Sequence, residues 1–215
     1  MMFEHPPTIT SMMTVIHPGT FNYLWGTGGV ERDALVCRIA RDFVKDGDGT
    51  GLVTIAVPRR EDPTQILHLL VSMFTIPDGS VDVCPFDFKN WADALMWVST
   101  EMKNSRPGAK MLILNSPTPG SGQEAAVVVP ILVQKVLDSD VTLVIVSDPP
   151  ADYVRAIGDN PTAVLNPGTI SFYPHCVMHM NDVAWPGAIE LLKHRQFHKE
   201  IFMIPTDTDF PVTRP

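Results

Sequence analysis

From residue 20 onward, apolar positions follow two rhythms in turn. FNYLWG, beginning at Phe21, is a short apolar run ending in glycine, and it predicts a strand. Between Asp33 and Lys45 the apolar residues Leu35, Val36, Ile39, Ala40, Phe43 and Val44 recur at helical spacing, which predicts an amphipathic helix. The loop DGDGTG then leads into LVTIAV (Leu52–Val57), a continuous apolar run typical of a strand buried on both faces. A second helix is predicted to start near Asp62, with Pro63 at a favourable first position and Ile66, Leu67, Leu69, Leu70 and Met73 buried. VDVCP reads as a short strand. A third helix, from about Asn90 to Lys103, carries Trp91, Leu95, Met96 and Val98. KMLILN is another buried strand, SPTPGSG a loop, and Gln123 to Leu137 a fourth helix that Pro130 is expected to kink or break. VTLVIVS closes this alternation as a further long strand.

After Pro150 the rhythm changes. A short helix near 152–157 is followed by TAVLN, TISFYP, HCVMHMND, GAIELLKHR and KEIFMIP, which read as strands joined by tight turns. The pattern predicts an α/β fold: a doubly wound, mostly parallel sheet with helices on both faces and a C-terminal antiparallel β extension. Residues 1–19 show no clear period and read as an N-terminal arm available to a partner; residues 20–215 read as a single domain.

Composition narrows the function classes. Hydrophobic residues make up 45% and charged residues 19% of 215, which suits a packed core rather than a disordered chain. The formal net charge of −8 argues against strong unaided nucleic-acid binding and leaves that role to a local basic patch or a neighbour. No apolar run approaches the roughly 20 residues of a membrane span, so no membrane partner is expected. MMFEHPPTIT lacks a basic region followed by an apolar one, and the expected location is cytoplasmic. Cys37, Cys84 and Cys176 form no CxxC pair and are expected to be reduced, mostly buried thiols.

Four segments carry the candidate chemistry: WGTGGVERDALVCRIA, GLVTIAVPRREDPTQILHLLVSMF, AKMLILNSPTPGSG and GAIELLKHRQFHKEIFMIP. In this order they resemble the RecA-like P-loop ATPase core, most closely its DnaB helicase, KaiC and RadA branch, over about residues 20–210. In the first segment, Gly26, Gly28 and Gly29 and the helix start match the phosphate-loop pattern GxxxxGK[ST]. Arg32 takes the lysine position, Asp33 the hydroxyl position, and Glu31 replaces the last glycine. Two carboxylates beside a phosphate cost Coulomb energy and oppose the helix dipole. The bland alternative is a structural turn with Asp33 as helix N-cap.

In the second segment the resemblance implies a catalytic glutamate at the strand end, but Pro58 or Arg59 stands there, while Gln65 and Leu67 match the following helix. Neither residue is a base; Arg59, Arg60 and Glu61 also read simply as a solvated loop. In the third, Asn115 and Ser116 replace the aspartate that orients magnesium, and amide is a poor partner for a hard cation. SDPP places Ser147 and Asp148 where the family often has a polar sensor. In the fourth, Lys193 and Arg195 match a KxR hairpin that the resemblance implies acts in trans, on phosphates held by the adjacent subunit. The alternative is an ordinary basic edge strand.

His175 and His179 are spaced to share one strand face and His194 and His198 bracket the fourth hairpin, but no zinc-ligand spacing emerges and no metal is predicted. Trp25, Trp91, Trp97 and Trp185 read as core or interface residues. With the lysine, the glutamate and the aspartate all replaced, the sequence argues against magnesium-dependent hydrolysis. One reading is a non-catalytic subunit (a pseudo-ATPase) that assembles with itself or with a RecA- or DnaB-type ATPase in recombination, replication or packaging, reaching nucleic acid through the assembly. A second is a divergent NTPase in which Arg32 replaces lysine and ATP is the cofactor. A third is a scaffold component strapped to neighbours by its proline-containing ends.

Overall fold

The computed structural model describes residues 8–25, 30–47, 50–59, 63–74, 76–77, 79–104, 110–115, 122–147, 175–181, 188–194 and 200–203. Its strands are β1 (Phe21–Trp25), β2 (Leu52–Val57), β3 (Val81–Pro85), β4 (Lys110–Asn115), β5 (Thr142–Ser147), β6 (Cys176–Asn181), β7 (Ala188–His194) and β8 (Glu200–Met203). The helices are α1 (Val30–Asp46), α2 (Pro63–Phe74), α3 (Trp91–Lys103) and α4 (Gly122–Leu137). The TAVLN and TISFYP strands, the short helix near 152–157 and Trp185 lie outside the described residues.

One eight-stranded sheet runs in the order β3-β2-β4-β5-β1-β6-β7-β8. Every pairing from β3 across to β6 is parallel. β7 pairs antiparallel with β6, and β8 with β7. The doubly wound, mostly parallel sheet expected from the rhythm is therefore present.

Alternation along each strand sorts side chains to two cores. On one face Met111, Ile113, Val144 and Val146 meet Leu35, Val36 and Ile39 of α1 and Ile66 and Leu70 of α2. On the other, Leu112, Leu114, Leu143 and Ile145 meet Trp97 and Val98 of α3 and Val129 and Leu132 of α4. Each such side chain contributes roughly 1.5–3 kcal/mol by leaving water. This two-sided burial explains why β4 and β5 read as unbroken apolar runs.

Several local readings are corrected. α1 begins at Val30 rather than Asp33. Its first turn holds Glu31 and Arg32, so apolar period alone could not locate it. Leu67 is 40% exposed, because α2 turns Ile66 and Leu70 inward and Leu67 lies off that line. α4 runs on past Pro130 without a break. The carbonyl that loses its partner there belongs to exposed Ala126, where water can serve it.

Residues 8–16 pack against α1. Ile9, Met12, Val15 and Ile16 join the α1/α2 core. The Met12 N–H donates to Asp42 Oδ2 at 2.8 Å, and Ser11 caps a 3-10 turn over Met12–Thr14. At the far edge of the sheet, β3 ends in exposed Pro85 and carries exposed Asp82.

Candidate functional site

β1 and β2 lead into helices on one face of the sheet, β3 and β4 into helices on the other. Such a change of face opens a crevice at the C-terminal ends of the strands. Trp25, Ser147 and Asn115 stand at that end: Trp25 is in register with Ser147, and Asn115 with Val146.

α1 starts beside this crevice, so Arg32 and Asp33 lie in its first turn, where unpaired N–H groups and the helix dipole favour negative charge. With the helix starting at Val30, Asp33 is not its N-cap. Arg32 is only 3% exposed and is therefore folded into the domain. Asp33 is half-buried, and Asn115 is fully buried. The two meet: Asn115 Nδ2 donates to Asp33 Oδ1 at 3.1 Å. Burial pushes the Asp33 carboxyl above its ordinary range, against smaller opposing effects of the Asn115 hydrogen bond and the Arg32 charge. The other amide atom, Asn115 Oδ1, is buried with no hydrogen-bond partner.

Ser147 is engaged differently. Its hydroxyl lies 2.7 Å from that of Tyr23. Both sit on the α3/α4 side, where Tyr23 packs edge-on against Trp25. Asn115 points to the opposite face, as its partner on α1 requires. The polar strand-end residues thus do not converge on one cleft. Tyr23 was not anticipated from sequence; its two-residue offset from Trp25 on one strand face was the available signal. Arg59, at the expected glutamate position, turns to the loop after β3. Its N–H donates to Asp87 Oδ1 at 2.9 Å, and its guanidinium lies 3.9 Å from Oδ2 in an exposed ion pair.

Lys193 lies on β7 opposite Val177, which is itself opposite Tyr23. It is therefore set back from the strand-end crevice, which lies at the level of Trp25, His179 and Glu190. Gly26, Gly28, Gly29, Ser116, Asp148, Arg195 and His198 lie outside the described residues. Among the described residues no group of three or more His, Cys, Asp or Glu is placed to hold a metal. No helix there is long and apolar enough to cross a membrane.

No protein-family model and no curated protein matches the sequence. Solved structures match the fold. A structure of an ATPase domain superposes with a TM-score of 0.64 at 7% identity, covering 86% of this chain and 81% of that one. A DnaB-like replicative helicase, described with its interactions with primase, gives a TM-score of 0.58 at 9% identity over 86% of this chain and 54% of that one. The fold is RecA-like, similar to that of these two structures. The chain spans about half the length of the second structure, 54%.

A RecA-like core implies a magnesium nucleotide at the turn before α1, and the residues present do not fit one. In the register read from the sequence, Asp33 puts a carboxylate where a phosphate-side hydroxyl is needed. Asn115 commits its N–H to that carboxylate, and its neutral amide oxygen is a far poorer partner for magnesium than the aspartate it replaces. Arg32 is buried, and its planar guanidinium does not fill the place of a lysine ammonium.

Proposed function

We propose that this RecA-like chain is a non-catalytic subunit that assembles with itself or with an active ATPase in a nucleic-acid transaction. The observation that carries the reading is the Asp33–Asn115 hydrogen bond. Residues that would face magnesium and phosphate in a working site bond to each other instead. Ser147 with Tyr23 and Arg59 with Asp87 follow the same pattern. The likeness to a solved ATPase domain and to a DnaB-like replicative helicase supports the nucleic-acid setting. Outward-facing Val127 (65% exposed) and Ile131 (43%) on α4, with Met96 (58%) on α3, suit a protein partner better than water.

Titration calorimetry with ATP or GTP and magnesium is expected to give no heat of binding at millimolar nucleotide. Light scattering is expected to show a mass above 23.7 kDa, alone or on mixing with a DnaB-type ATPase. Clear nucleotide binding would favour the divergent-NTPase reading. In a mixed assembly, Arg195→Ala is expected to lower the partner's ATPase rate; an unchanged rate removes the trans role of the Lys193–Arg195 pair.

A further inference from the structure

We infer that Asp33, in the first turn of α1, and Asn115, at the end of β4, form a proton-sharing acid–amide pair. The geometry supplies half of that pair already. Asn115 Nδ2 donates to Asp33 Oδ1 at 3.1 Å. The same amide has a second polar atom, Oδ1, which is buried and without a partner. An ionised carboxylate cannot satisfy it, because both groups are acceptors. A protonated carboxyl can: its Oδ2–H donates back to Asn115 Oδ1 while its Oδ1 keeps accepting from Nδ2. Both polar atoms of the buried amide are then paired, which removes the cost of an orphaned acceptor.

The surroundings set the balance. Burial favours the neutral acid, and Arg32 on the same helix favours the ionised form. Among the described residues, Asn115 from β4 and Arg32 from α1 are the groups that act on Asp33. One turn along α1, the Cys37 thiol is pushed up chiefly by burial and then by the Asp33 charge, so it stays protonated and contributes no charge of its own. A proton held more tightly by the folded chain than by the unfolded one stabilises the fold below the unfolded-state value. That contribution is lost as pH rises through the higher folded-state value. Acid therefore ties the start of α1 to the end of β4, and rising pH loosens it.

The inference rests on the proposed function only in that the turn carries no magnesium nucleotide. Nucleotide heat in calorimetry would overturn that reading, while the acid–amide pair is decided separately in the nucleotide-free chain. The test here uses the full chain without nucleotide: a carbon-13 NMR titration of the Asp33 carboxyl, with the Asn115 side-chain amide followed in parallel. The expected result is an Asp33 midpoint above the ordinary value of about 3.9, with the Asn115 amide signals moving at the same midpoint. Asp33→Asn replaces the acid with an amide that makes both hydrogen bonds at any pH. Its Tm advantage over the native chain should grow as pH rises through the Asp33 midpoint. An Asp33 midpoint at or below the ordinary value, or Asn115 signals that stay flat through it, overturns the inference, as does a Tm difference independent of pH.

Discussion

Two carboxylates of helix α1, Asp33 near its start and Asp42 toward its end, are treated in opposite ways. Asp42 is 4% exposed and well surrounded by donors. Its Oδ2 accepts the Met12 N–H at 2.8 Å and faces Arg38 Nε at 3.7 Å. Its Oδ1 accepts from the Arg41 guanidinium at 2.9 Å, through both Nε and Nη2. Asp33 is half-buried and receives one amide donor, whose own oxygen is left over. A buried charge is tolerated when donors surround it and is costly when they do not. The first arrangement fastens residues 8–16 to the helix. The second leaves a group whose protonation state decides how well its neighbourhood is satisfied.

The sharpest way to break the comparison is Asp42→Ala. It removes the carboxylate that faces Arg38 and Arg41 and accepts from Met12; the expected loss is about 3–5 kcal/mol in urea unfolding. Limited proteolysis should cut earlier within residues 8–16. A smaller effect is expected for Tyr23→Phe, which breaks the hydroxyl pair with Ser147 on the other face of the sheet, at about 1 kcal/mol. Next comes Asp33→Asn, with a modest rise in Tm at neutral pH that fades toward acid. The sign follows because the native group is held protonated only on the acid side, so neutral pH is where the substitution relieves most. A loss of Tm at neutral pH would mean that the ionised Asp33 is as well compensated as Asp42. Last is Arg59→Ala, which removes an ion pair 72% and 52% exposed at its two ends. A change within about 0.5 kcal/mol is expected in the same unfolding assay.

Much of the architecture was legible in the sequence because burial writes itself into period. The middles of β4 and β5, MLIL and LVIV, are apolar throughout since both faces are covered, and the helical stripe of α1 names its own core face. The first turn of α1 was not legible, because Glu31 and Arg32 interrupt the stripe where it begins. Leu67 was misjudged because a helix rich in apolar residues offers more of them than one sheet face can cover. The site was legible only residue by residue. That Asn115 meets Asp33, and that Ser147 turns to the opposite face, depends on strand order and on alternation parity at the strand ends. Neither can be read from local composition. The Met12–Asp42 contact was hidden for the same reason: a segment without period still has a backbone N–H that a buried carboxylate can use.

The outer edge at β3 sets a limit on growth. The Phe86 N–H donates inward to the Val57 carbonyl at 2.7 Å, so the alternate positions Val81, Val83 and Pro85 present their backbone outward. Proline has no N–H to offer there, which leaves the amides of Val81 and Val83 as the outward donors, with the exposed carboxylate of Asp82 between them. A foreign strand would find too short a ledge to zip onto. Extension of the sheet through β3 is thereby disfavoured.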